Sequence, residues 1–146
     1  MELPLDAEML LPHRKPMRLI DSLNASDGKS GSTSAIFATD SPFVIDRKGR
    51  IERLALLELI AQTYAASKGY EDLVDDIDVS QGYLVGISNA VYYCDAYARQ
   101  DLLIKVESEE AFDNFHLAAG EVWRDDTLLM KAKLKIWISS EETQQA

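Results

Sequence analysis

The chain is poor in the residues that bind metals or cross-link a fold. Among 146 residues there is one cysteine, Cys94, and only two histidines, His13 and His116. A lone thiol forms no internal disulfide, and no Cys/His set has metal-ligand spacing, so neither a structural metal nor a cofactor is expected. No apolar run approaches the roughly 20 residues of a membrane-spanning helix. The first residues, Met1-Glu-Leu-Pro-Leu-Asp-Ala-Glu8, lack the basic stretch of a secretory signal, so a cytoplasmic location is expected. Positive charge is also scarce: 15 Lys and Arg stand against 25 Asp and Glu, a net charge of −10. Affinity for nucleic acid comes mostly from neutralising phosphates, so nucleic acid is not an expected partner.

What the chain has is one long apolar segment with a carboxylate inside it. Leu54-Ala-Leu-Leu-Glu58-Leu-Ile-Ala-Gln62-Thr-Tyr-Ala-Ala-Ser67 predicts a helix that is buried on most sides. Glu58 and Gln62, four residues apart, stack on one face of it. A carboxylate in such surroundings costs free energy unless it is hydrogen-bonded or lines a pocket. Glu58 is therefore the leading candidate for chemistry, with Gln62 placed to orient it. Arg47, Lys48, Arg50 and Arg53 form a basic cluster just ahead of this helix, suited to an anionic ligand or partner. Glu71, Asp72, Asp75, Asp76 and Asp78 form an acidic one after it, read as a solvated excursion.

The flanks complete a fold. Residues 5–11 read as a short helix, and 12–16, bounded by two prolines, as a rigid extended link. Residues 17–25 and 32–39 read as a hairpin around the breakers of 26–31. The helix is expected to stop near Gly69, a suitable residue just past a helix end. Four strands follow, at about 82–93, 102–108, 114–124 and 128–138; the last alternates Met130, Ala132, Leu134 and Ile136 against Lys131, Lys133 and Lys135. A polar tail closes the chain. The expected fold class is α+β, one domain over residues 1–146, with a curved antiparallel sheet wrapped around a central buried helix. That layout is called a hotdog.

Three motifs in this order resemble the hotdog-fold 3-hydroxyacyl-acyl carrier protein dehydratases. They are Leu11-Pro-His13-Arg-Lys-Pro16-Met-Arg-Leu-Ile-Asp21, Glu58-Leu-Ile-Ala-Gln62 and Gly86-Ile-Ser-Asn-Ala90-Val-Tyr92. Ser41-Pro42-Phe43, followed by Asp46 and Gly49, looks most like dehydratase-like members encoded with aryl-polyene lipid biosynthesis. The resemblance implies Glu58 as a catalytic residue. Arg53 (through its backbone N–H), Gln62, Pro42, Phe43 and Gly86 would lie around the substrate, an acyl thioester of acyl carrier protein or coenzyme A. It also implies at least a dimer, either a homodimer or a heterodimer with another hotdog subunit.

The sequence departs from the family pattern at one position. The family's catalytic base is a histidine in the loop before the helix, and fourteen residues ahead of Glu58 this chain has Val44. Dehydration needs one group to take a C2 proton and another to protonate the leaving hydroxyl. With Glu58 alone, one role is vacant. Three readings follow: a dehydratase-like protein, a thioesterase in which Glu58 activates water or attacks directly, or a non-catalytic subunit that pairs with a histidine-bearing one. His13 reads as a packing residue of the N-terminal link, and His116 as a partly exposed strand residue. Cys94 reads as a small packing residue, and Trp123 and Trp137 as core or interface anchors.

Overall fold

The computed structural model describes residues 2–76 and 81–139, so Asp78, in the acidic cluster, and the polar tail beyond 139 lie outside the described residues. One antiparallel sheet takes in seven strands: β1 (Leu5–Asp6), β2 (Ser22–Ser26), β3 (Ser30–Ala35), β4 (Gln81–Tyr92), β5 (Leu102–Phe112), β6 (Phe115–Arg124) and β7 (Thr127–Ser139). Their order across the sheet is β1-β2-β3-β5-β6-β7-β4. The helix α1 (Arg53–Val74) lies against the concave face, which is the hotdog arrangement expected.

Alternation sets which face meets the helix. Leu102, Ile104 and Val106 on β5, Ala118 and Val122 on β6, and Met130, Ala132, Leu134 and Ile136 on β7 are buried inward, while Lys131, Lys133 and Lys135 face out. Tight turns join the strands. Asp27 accepts from the backbone N–H of Ser30 and Lys29, which hold its carboxyl below the usual range. The helix seats on the sheet at Gly120, where a Cβ would run into the side chain of fully buried Ile60. Beside it Thr63 donates to the Leu59 carbonyl at 2.7 Å, so the 2.6 Å contact with Thr33 is donated by Thr33.

Several elements differ from expectation, each for a local reason. The helix runs five residues past Gly69, which is buried inside it; a Cβ there would lie 3.2 Å from the Leu10 carbonyl, so glycine serves close packing rather than termination. The left-handed residue after the helix is Asp76 instead, at φ 54. Glu71 and Asp72 are consequently helical, and Asp72 is buried beside Lys68 at 3.7 Å. Residues 17–21 are not strand: the Gln62 side chain takes Leu19 N, Ile20 N and the Met17 carbonyl, and Met17 N and Arg18 N turn back to the Arg14 carbonyl. Residues 12–16 are not extended either: the Arg14 carbonyl accepts from Met17 N and Arg18 N, turning the chain. The segment read as a helix at 5–11 is β1 plus one short 3-10 turn at Ala7–Met9. Cys94 is exposed rather than packed.

Candidate functional site

Glu58 and Gln62 face the same way, as their spacing requires. Gln62 is 1% exposed and uses its whole amide. Its Oε1 accepts from Leu19 N at 2.8 Å and, more weakly, from Ile20 N at 3.4 Å. Its Nε2 donates to the Met17 carbonyl at 2.8 Å and to Glu58 Oε1 at 3.0 Å. One buried side chain thus ties the N-terminal segment to the helix and holds one oxygen of the Glu58 carboxylate. The expected orienting role of Gln62 has this geometry.

Glu58 is half-buried and lines a groove of about 880 Å³, a size typical of small-molecule sites. The helix supplies the floor through Glu58, Ala61, Gln62, Tyr64, Ala65, Lys68 and Gly69. One wall is the segment from Glu8 to Arg14, including His13; the other is Gly82 and Leu84 of β4 with Ile136 and Ile138 of β7. Burial, and then the nearby Asp72 carboxylate, push the Tyr64 phenol up to about 12. It stays protonated near neutrality, a hydrogen-bond donor rather than a base.

The other sequence-derived residues sit elsewhere. Arg53 opens the helix, five residues or about 7.5 Å of rise from Glu58. Its guanidinium is 3.3 Å from Asp95 and lies over the Tyr92 ring, whose hydroxyl donates to the Arg53 carbonyl. The Glu52 carboxylate caps this helix end, accepting from Leu54 N at 3.5 Å. Phe43 packs edge-on against Phe37 and its carbonyl accepts from Glu52 N, while Pro42 beside it is exposed. Gly86 lies on β4 opposite Lys135. Arg53, Pro42, Phe43 and Gly86 are not among the groove's walls.

Val44, which the resemblance sets at the position of the family histidine, is half-buried, packs on the core and bridges Ile51 through its backbone. The chain uses it for packing. Within the basic cluster, Arg50 is paired with Asp46 at 3.2 Å and Arg53 with Asp95. Among the described residues Arg47 and Lys48 make no ion pair and remain exposed.

Sequence reasoning missed the placement of His13. It is half-buried and walls the groove that contains Glu58, and its Nδ1 is buried with no hydrogen-bond partner among the described residues. Its presence in a dehydratase-like motif was legible; its side of the molecule was not. A second hollow of about 830 Å³ lies on the outer face of the sheet, walled by Lys105, Lys131 and Lys133 with Glu107 and Glu121. It contains none of the candidate residues.

Comparison with known structures places the fold among dehydratases and thioesterases. The ApeI:P dehydratase heterocomplex from Xenorhabdus doucetiae contains a chain matching with TM-score 0.84 at 19% identity, over 99% of this chain and 97% of that one. Cj0977, a sigma28-regulated virulence protein of Campylobacter jejuni, matches with TM-score 0.70 at 14% identity, over 96% and 90%. A hypothetical thioesterase from Streptococcus pneumoniae, solved with coenzyme A, matches with TM-score 0.62 at 13% identity, over 81% and 87%. No curated protein matches in sequence. Among the described residues no helix is long and apolar enough to cross a membrane. The sequence itself matches the ApeP-like family model, described as ApeP dehydratase, over residues 5–146. With the Glu-x-x-x-Gln pair on the central helix and the sheet wrapped around it, the chain belongs to the ApeP-like dehydratase family.

Proposed function

We propose that this protein binds acyl thioesters, carried by acyl carrier protein or coenzyme A, and dehydrates 3-hydroxyacyl groups in the groove beside Glu58. The observation that carries the reading is the Glu58 carboxylate, held through Oε1 by Gln62 and facing a groove whose far wall is Leu84, Ile136 and Ile138. That wall can take an acyl chain by apolar burial, at roughly 25 cal/mol per Å² removed from water. Glu58 Oε2 is then available to exchange a proton with the 3-hydroxyl or C2 of the substrate.

The groove is proposed to be completed by a second hotdog subunit. Strand β4 ends the sheet and carries Tyr83, Leu84, Val85, Ile87 and Val91 exposed, Val85 at 52%. A long apolar edge of this kind invites another strand, and Leu84 belongs both to it and to the groove. The similar Xenorhabdus chain comes from a dehydratase heterocomplex, which supports a pairing of unlike subunits. Exposed Arg47 and Lys48 are the charges left to attract an anionic carrier or phosphate.

The test is turnover of a 3-hydroxyacyl thioester by the purified protein, alone and together with a histidine-bearing hotdog subunit. Formation of the enoyl thioester, lost in Glu58→Gln, is expected. Release of free acid and thiol, also dependent on Glu58, would select the hydrolase reading. Saturable binding without turnover would leave a non-catalytic subunit. No binding of any acyl thioester would overturn the assignment.

A further inference from the structure

The groove beside Glu58 has a direction and an end. We infer that it is a length gauge for the acyl chain, with Ala65 as its specificity-determining residue and Lys68 and Gly69 at its limit, so that chains of up to about 14 carbons fit. This rests on the acyl-thioester reading above.

The shape of the groove carries it. Glu58, Ala61, Ala65 and Lys68 recur at the three- and four-residue spacing of one helix face, and all line the groove. The groove therefore runs along the helix rather than across it. Past Glu58 its floor is alanine at 61 and 65, which leaves room above, and Ala65 is exposed. The apolar wall stands beside the far part of this stretch. Leu84 pairs across strands with Ile136, Ile136 pairs with His116, and the Lys68 charge acts on that imidazole.

The far end is bounded in two ways. The N-terminal segment, whose Met17 carbonyl sits on Gln62, lies against the helix again at Gly69, where a Cβ would be 3.2 Å from the Leu10 carbonyl. Lys68 stands there 3.7 Å from buried Asp72. A methyl terminus pressed on that pair would strip water from charge without replacing it. The thioester end lies the other way. Exposed Arg47 and Lys48 precede the helix, so an anionic carrier or coenzyme A approaches its N-terminal end and the acyl tail points toward Gly69.

Helical rise sets the scale. With C3 of the acyl chain beside Glu58, Lys68 is ten residues further on, or about 15 Å. An extended chain advances about 1.3 Å per carbon, from a bond of about 1.5 Å and a tetrahedral angle. That leaves room for about 11 carbons past C3, a chain of about 14. Ala65 is seven residues on, or about 10.5 Å. A large side chain there ends the groove about 8 carbons past C3, near C10 or C11.

The test measures the affinity of saturated acyl-coenzyme A thioesters from C4 to C18, each below its micellar concentration, for wild type, Ala65→Phe and Ala65→Ser. It reads binding, so it needs no turnover. Wild-type affinity should rise roughly two- to fourfold per added carbon up to about C14, then level off or fall. Ala65→Phe should move that break to about C10 and weaken C14 at least about tenfold, while C8 stays within about threefold of wild type. Ala65→Ser, which keeps the size, should leave the break in place. Both variants should melt close to wild type, because Ala65 is exposed. Wild-type affinity that climbs without a break to C18 would overturn the gauge and leave acyl-thioester binding standing. So would a break that Ala65→Phe does not move, or a loss in that variant that is equal at C6 and C14. Absence of binding at every length would overturn both.

Discussion

The two sides of the central helix are built for opposite purposes. The side facing β3, β5 and β6 is sealed: Leu56, Leu59, Ile60, Thr63 and Ala66 are fully buried, and glycine at 120 lets the helix touch the sheet. The other side is open. Leu54 is 68% exposed, Ala65 is exposed, Glu58 and Ala61 are half-buried, and the nearby edge strand β4 shows its apolar residues to solvent. Both sides are rich in Leu and Ala, so composition does not separate them. What separates them is a cover: the sheet closes one side, while the N-terminal segment and β4 only flank the other and leave a groove between them. A sealed face holds the fold, while an open apolar face with a supported carboxylate is suited to a ligand and a partner.

Substitutions should divide along this line. On the open side, Glu58→Gln is expected to lower dehydration turnover by about 10²- to 10⁴-fold. That is roughly 3–5 kcal/mol in the barrier, with the thermal midpoint nearly unchanged; steady-state rates and a melting curve check both halves. On the boundary, Gln62→Leu removes the partners of the Leu19 N–H and the Met17 carbonyl. It should cost about 3 kcal/mol in stability, since each buried group left unsatisfied costs about 1–3 kcal/mol, and it should slow turnover as well. On the sealed side, Gly120→Ala presses a methyl into Ile60 and should cost about 1–3 kcal/mol by urea unfolding. The rate per folded molecule should survive.

Two further changes have smaller effects on stability. Leu84→Lys on β4 should reduce the mass seen by light scattering to that of a single chain that is still folded, because the strand is exposed within one subunit. The smallest effect concerns pH. Burial, and then the Lys68 charge, hold the His116 imidazole below its ordinary range. The unfolded chain therefore binds this proton more readily, and stability is lost as pH falls from the ordinary histidine value through the depressed one. His116→Gln should flatten that part of the stability curve, measured as the urea midpoint between pH 7 and pH 5.

Much of the sealed side was legible in the sequence, because periodicity reports burial against a regular surface. The alternation of β7 and the apolar helix from Leu54 onward gave the layer arrangement directly. The carboxylate–amide pair was legible too, since four-residue spacing on a helix is a local fact. Long-range contacts were not. The Gln62 amide reaches back 45 residues to Met17 and displaces the strand that alternation suggested there. Gly69 looked like a helix stop because its actual reason, the Leu10 carbonyl, is far away in sequence. Nothing local says that the loop holding His13 turns onto the Glu58 side. Arg50 and Arg53 looked like ligand-binding charges, and their pairing with Asp46 and Asp95 shows only in the fold.

The central claim is that the open side of the helix is where an acyl thioester sits. The most direct measurement uses a coenzyme A thioester with a photoreactive group near the thioester end of its acyl chain. It is irradiated with the purified protein, and the labelled peptides are mapped by mass spectrometry. The account expects saturable labelling of the groove, on the helix around Glu58 to Ala65 and on the wall segments holding Leu84, Ile136 and Ile138. An excess of unlabelled acyl-coenzyme A should compete it away. Saturable, competed labelling confined to the outer face around Lys105, Lys131 and Lys133, with the groove unmarked, would contradict it.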